Sequence, residues 1–465
     1  MKLKRNVALS IVVLTALSCT KTQFDDFEQI QGNADFSNYV AVGNSITQGM
    51  QDNGLHNDHG EQENSFPAIL ARQMVLNGAN LDFKQPLVTG AGSGYMYLKY
   101  ENNEITPVAN TTYDVTTPIP FPIINGDPEG RGYDPSWLTW GLAEKNVKYN
   151  NLGVSAIRVV DCVPTEGVGV EYLSRLQNYW TNFINNYGRF LNWGLPPVLL
   201  SPIDFDVTYL DHIKASNATF FTCWLGNNDV LGWAVVGGDK DNPVGGLAIP
   251  GVSEIAPITL SDPAEFQEKY DKIMDAFLNM GAKGVCATIP DITSIPLFTT
   301  ITLEEVGHDV WIVEGDDAMN PGLVRKATED DLMLLTALAE LEDDKGKTQA
   351  NPLENRFVLD RDEAKLAQDR TIILNNIIRN SAATHGFPIA DMYDYMQELE
   401  SGLSFDGVDY TAKFIEGGAF SLDGTHPNSR GYAAVANKFI DVINETYGST
   451  LRHTAVQNQN GILFP

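Results

Sequence analysis

The residues whose types and spacing could do nucleophilic chemistry are one serine near the start of the chain and an aspartate–histidine pair near its end. Ser45 lies in Gly43-Asn44-Ser45-Ile46-Thr47, directly after the β-prone run 38–43. A hydroxyl there is presented at the carboxyl end of a parallel strand, the edge at which open α/β sheets bind ligands. Serine is a poor nucleophile until a base takes its proton, and imidazole suits that task near neutral pH. His426, in Leu422-Asp423-Gly424-Thr425-His426-Pro427, is the candidate base. Asp423 can reach the other ring nitrogen from the same loop and fix the tautomer. A third segment, Trp224-Leu225-Gly226-Asn227-Asn228-Asp229, puts amides after another apolar run. The NH2 of Asn228 could donate to a developing oxyanion, a contribution of roughly 3 kcal/mol in typical enzymes. Each segment also has a plainer reading: a helix N-cap for Ser45, a capped surface turn for the histidine, and an Asx-turn for the asparagines.

The elements that must position these residues follow from periodicity. Besides 38–43, strand candidates are 147–152, 219–225, 284–289 and 387–392, and helical patterns cover 66–77, 263–280, 329–341, 362–380 and 431–447. Strands alternating with helices predict βαβ units and a mainly parallel sheet covered on both faces. The segments 86–146, 163–215 and 235–261, rich in turn residues or aromatics, are expected to be insertions on one α/β domain spanning 37–450, followed by a tail, 451–465.

The ordered set GNS, NLGVSA, GNND and DGTHP resembles the four blocks of the SGNH (GDSL-type) hydrolase superfamily. The resemblance covers about residues 37–445 and implies a three-layer α/β/α sandwich with a flavodoxin-like sheet. It also implies a serine carboxylic ester hydrolase working through an acyl-enzyme, with Ser45, Asp423 and His426 as the triad. The oxyanion donors it implies are the N–H of Ser45, the side chain of Asn228 and a backbone N–H from the second block. The family has glycine at that backbone position, five residues after the block's asparagine. Here Ala156 stands five residues after Asn151, with Gly153 as the fallback. Asn44 replaces the aspartate frequent in the first block. No metal or organic cofactor is required. A glycan O-deacetylase would share the same residues, and a catalytically inactive surface lipoprotein that binds glycan or protein is the reading from a different class.

The remaining features set the context. A formal net charge of −29 disfavours nucleic acid and anionic bilayer surfaces as partners. Residues 1–19 read as an export signal: Lys2, Lys4 and Arg5 precede a short apolar stretch, 7–17. It ends in Leu17-Ser18-Cys19, which resembles a bacterial lipobox, so acylation of Cys19 and anchoring in the cell envelope, on the periplasmic or the surface face, are expected. Residues 20–36 read as an acidic tether. Cys162, Cys223 and Cys286 have no metal-site spacing and are expected in the core, with at most one disulfide among them. His56, Asp58, His59 and Glu61 are dense enough to ligate a metal, although a solvated loop bordering the site is the simpler reading. Gly90-Ala91-Gly92-Ser93-Gly94 lacks the lysine of a phosphate-binding loop and reads as a turn.

Overall fold

The computed structural model describes residues 29–87, 95–101, 104–109, 148–155, 157–163, 208–238, 259–315 and 322–465. Its centre is a parallel sheet of four strands, β1 (Tyr39–Gly43), β2 (Phe220–Trp224), β3 (Lys283–Ala287) and β4 (Ile389–Ala390), hydrogen-bonded in that order. On the free side of β1 the segment around Asn151 adds a parallel bridge, with the Ala41 N–H donating to Asn150 O and the Leu152 N–H to Ala41 O, each at 2.8 Å. In chain order the arrangement is therefore 2-1-3-4-5, the flavodoxin-like order, and its switch point is at β1.

Successive strand residues point to opposite faces, and both faces are apolar here. Tyr39, Ala41, Phe220, Val285 and Ala287 pack with α2 (Phe66–Leu76) and the C-terminal helix Ser429–Tyr447. Val40, Val42, Phe221, Cys223 and Cys286 face the other layer, whose helices are Tyr209–Ser216, Pro263–Asn279 and Arg361–His385. That is a three-layer α/β/α sandwich. The C-terminal helix buries Tyr432, Phe439, Ile440 and Ile443 completely, each worth about 1.5–3 kcal/mol relative to exposure. Its N-cap, Asn428, accepts the N–H groups of Arg430 and Gly431 and donates to the carbonyls of Gly418 and Phe420. The helix and the loop before it are thereby held as one piece. A smaller core of Ile301, Val310, Ile312, Met333, Leu353 and Val358 lies beneath short antiparallel pairs.

Four expectations change. The helix expected over 329–341 is interrupted because the Asp331 carboxylate pairs with Arg325 and accepts the N–H groups of Thr328 and Arg361. This holds the chain extended, Leu332–Met333 pairs with Val358–Leu359, and regular α-helix begins only at Leu338. The segment 163–215 ends in the core helix Tyr209–Ser216, capped by Thr208 and Asp211, so its last turns belong to the sandwich. The described part of the tether is not free: Phe36 is fully buried and the Asn33 N–H donates to Tyr447 O. The tail likewise packs back, burying Val456 and giving Gln459 O to Arg430. Cys162, Cys223 and Cys286 are free and buried, and burial pushes the Cys286 thiol up to about 12. Among the described residues no helix is long and apolar enough to cross a membrane. Cys19, the export signal, most of the aromatic segment and the 90–94 turn lie outside the described residues.

Candidate active site

Ser45 opens the short helix α1 (Ser45–Gln48) at the carboxyl end of β1, beside the switch point. It is not the helix cap. Asn44 takes that role, its side chain accepting the Ile46 N–H at 3.0 Å, which leaves the Ser45 hydroxyl for other work. Glycine is required at 43 because a Cβ there would sit 1.9 Å from Thr47 Oγ1 and 2.8 Å from Trp224 O. The Ser45 N–H has no acceptor among the described residues.

The hydroxyl meets His426. Ser45 Oγ lies 2.8 Å from His426 Nε2, and His426 Nδ1 lies 2.8 Å from Asp423 Oδ2. The imidazole is no surface group, with 12% of its side chain exposed. Asp423 is supported on both oxygens. Oδ1 accepts the N–H groups of Thr425 and His426, and Oδ2 accepts the Asn53 N–H, all at 2.8 Å. Burial alone would raise the carboxyl, but the adjacent His426 and the N–H donors outweigh it and hold it at about 2. Asp423 therefore stays an anion that can orient the ring and balance a developing imidazolium.

The Asn53 contact is one that motif reasoning missed. Gln51 to Gly54 close a tight turn whose central residues, Asp52 and Asn53, have φ of 52° and 62°, the left-handed pair of a type I′ turn that Asp and Asn tolerate. The turn grips the histidine loop: the Asp52 N–H donates to Ser421 Oγ, and Asp52 Oδ1 accepts the Leu422 N–H. Tyr432 adds a hydrogen bond to Met50 O at 2.6 Å. The chain just after Ser45 thus sets the position of the loop carrying His426. The signal was present in the sequence as Asp-Asn-Gly.

Asn228 is the first residue of the helix Asn228–Ala234, beyond Gly226 at φ 114°. Its Nδ2 donates to Ile157 O at 3.1 Å, so the side chain reaches across to the second block instead of closing an Asx-turn. That block is stitched on both sides. Asn151 Nδ2 donates to Thr47 O, the Ser155 N–H to Gln48 Oε1, and the Val159 N–H to Asp229 Oδ2. Gly153 gives its N–H to Asn151 Oδ1 at 2.9 Å and packs under α1, so it has no donor left for an oxyanion. Ala156 lies outside the described residues, between Ser155 and Ile157, each of which is hydrogen-bonded as above.

The acidic cluster sits behind the clamp. His56 is buried, stacked on Tyr95 and flanked by Asp52 and Glu61 at 3.6 and 3.5 Å. Among the described residues no group of three potential metal ligands converges.

Two solved structures are similar at low identity. One is LAE5, an alpha/beta hydrolase enzyme from the metagenome of Lake Arreo, Spain, at 12% identity and a TM-score of 0.33, covering 90% of this chain and 98% of the other. The other is the acetyl xylan esterase AlAXEase, at 11% identity and a TM-score of 0.30, covering 87% and 98%. No curated protein matches the chain significantly. The family model for GDSL-like lipase/acylhydrolase matches residues 39–439, a span that holds all four blocks. The chain belongs to the GDSL-like lipase/acylhydrolase family.

Proposed function

We propose that this protein is a serine carboxylic ester hydrolase that works through an acyl-enzyme on Ser45. The observation that carries the reading is the unbroken relay from Ser45 through His426 to Asp423, two contacts of 2.8 Å, the first of which joins residues 381 apart in sequence. His426 Nε2 takes the hydroxyl proton as Ser45 Oγ bonds to the ester carbonyl carbon. The carbonyl oxygen becomes an anion received by the Ser45 N–H and the Asn228 amide, with the Ala156 N–H as the third donor. Asn228 spends one amide hydrogen on Ile157 O, which orients the group and leaves the second to donate. Collapse of the intermediate breaks the bond to the alcohol, which leaves with the proton from His426. Water then gives its proton to His426 and attacks the acyl-enzyme. The acid departs, and Ser45 regains its proton.

Export and lipid attachment at Cys19 complete the proposal, supported by the basic, apolar and Leu-Ser-Cys order of residues 2–19. Hydrolysis of nitrophenyl esters by the chain lacking residues 1–19 tests the enzymatic reading. Ser45→Ala should lower the rate by several orders of magnitude, and a fully active variant would remove Ser45 from the mechanism. Incorporation of labelled palmitate that disappears in Cys19→Ala tests the anchor; labelling retained in the variant excludes that residue.

A further inference from the structure

Asn228 is aimed by what it donates to. A side-chain amide is planar, so with one N–H committed to Ile157 O at 3.1 Å the direction of the other is fixed. The aim of that second N–H is therefore only as good as the placement of the Ile157 carbonyl. Ile157 and Arg158 are irregular and lead into the short helix Val159–Cys162. Their own N–H groups stay local, the Ile157 N–H turning back to Val154 O and the Arg158 N–H to Asp161 Oδ2. The second tie to the helix of Asn228 comes from the next residue along it: Asp229 Oδ2 accepts the Val159 N–H at 2.8 Å. Asn228 and Asp229 thus form a two-point bracket, one donating to the carbonyl of Ile157 and the other accepting from the N–H of Val159. A single bond would leave the gripped segment free to swing about it, and the second removes that freedom. Asp229 and Val159 are both fully buried, so solvent replaces neither partner when the other is lost.

We infer that Asp229 is a positioning residue for ester hydrolysis: it holds the Ile157 carbonyl where the Asn228 amide points at the oxyanion, and it touches no reacting atom itself. The inference rests on the hydrolase reading above and adds a residue to it. A carboxylate that only tied two elements together would affect stability, and its effect on rate would not depend on Asn228. One that works through Asn228 loses its effect on rate once the amide is gone.

The test is a set of double-mutant cycles. kcat and KM on a nitrophenyl ester are measured for Asp229→Ala, Asp229→Asn and Val159→Pro, each with and without Asn228→Ala, and thermal melting shows which proteins are folded. Val159→Pro breaks the same hydrogen bond from its donor side. Position 159 opens a helix, where proline is tolerated, and Arg158 before it has φ −101° and ψ 159°, the extended backbone that a following proline requires. Should Asp229→Ala fail to fold, Val159→Pro decides. In both variants kcat should fall about 10–100-fold, less than the whole Asn228 donor is worth, with KM changed by under about twofold. Asp229→Asn still offers an oxygen to the Val159 N–H, and its kcat should stay within about threefold of wild type. In the Asn228→Ala background none of the three should change kcat by more than about twofold. An equal fall in both backgrounds, or an unchanged kcat in folded Asp229→Ala or Val159→Pro, overturns the assignment. Failure of the parent reading looks different: wild type turns over no ester, or Ser45→Ala is as active as wild type.

Discussion

Replacing Asp423 by asparagine tests how the carboxylate works, because the change keeps the shape of the side chain and the structure fixes what each amide orientation must meet. If the NH2 takes the place of Oδ2, it opposes the Asn53 N–H and forces His426 Nδ1 to accept, so that Nε2 carries the hydrogen and cannot take the proton of Ser45. If the amide flips, its NH2 opposes the N–H groups of Thr425 and His426 and strands both, at roughly 1–3 kcal/mol each. The first orientation is the cheaper, and it is the catalytically wrong tautomer. Asp423→Asn should therefore lower kcat/KM on a nitrophenyl ester by about 10³–10⁴, equivalent to about 4–5.5 kcal/mol in the barrier. Stability supplies a second readout. Held at about 2 against an ordinary 3.8, the carboxyl contributes on the order of 2 kcal/mol. Because the folded value is the depressed one, that stability is present above about 3.8 and lost as pH falls through about 2. The gap in unfolding free energy between wild type and variant should then be wide at neutral pH and narrow on acidification. A rate loss under about tenfold would refute the claim that Asp423 selects the tautomer, and a pH-independent gap would refute the stated origin of its stabilisation.

Three further outcomes follow from neighbouring groups. Asn228→Ala should reduce kcat by about 10²–10³ with little change in KM, since the lost donor acts on the transition state; a KM effect alone would place Asn228 in ground-state binding. Asp229 is fully buried, and burial pushes its carboxyl up to about 7 despite the Val159 N–H and Arg158. Its folded value is the raised one, so its contribution is full below about 3.8 and lost as pH rises through about 7. Asp229→Asn, which can still accept the Val159 N–H, should gain stability relative to wild type over that window. The gain is a few kcal/mol at most, at ~1.4 kcal/mol for each tenfold change in proton affinity, as read by chemical denaturation at a series of pH values. A constant difference across the window would contradict this. Gly43→Ala should cost at least ~2–3 kcal/mol and displace α1, because its Cβ would overlap Thr47 Oγ1 and crowd Trp224 O; a melting temperature equal to wild type would show that the strand end is not so confined.

Much of the architecture was legible because both faces of the sheet are buried. Runs such as Tyr-Val-Ala-Val at 39–42 and Phe-Phe-Thr-Cys-Trp at 220–224 are apolar at every step or nearly so, and strands of that kind occur between two helical layers. The long helices were legible from their period, as with 362–380, although the helix runs on from Arg361 to His385 between the caps Asp360 and Gly386. Residues 329–341 were misread because helical propensity says nothing of Arg325, whose guanidinium ties down Asp331 and stops the helix. The packing of 29–36 against the C-terminal helix was hidden for a related reason: the polarity of the segment masks the single ring, Phe36, that anchors it. In the site, Ser45, Asp423 and His426 stood out through order and residue type. The Asp52–Asn53 clamp did not, because its contribution to Asp423 is a backbone N–H, which any residue in that turn conformation would present. Gly153 was a reasonable donor by type, but Asn151 already takes its N–H.

The central claim is that Ser45 is the nucleophile. Its most direct test is covalent trapping with a nitrophenyl phosphonate, which transfers its phosphonyl group to an activated serine and releases nitrophenol. Peptide mass spectrometry of the trapped protein should place one adduct on Ser45, with loss of esterase activity in step with labelling and no adduct in Ser45→Ala or His426→Ala. An adduct on another residue accompanying the loss of activity, or full labelling of Ser45 with activity intact, would contradict the account.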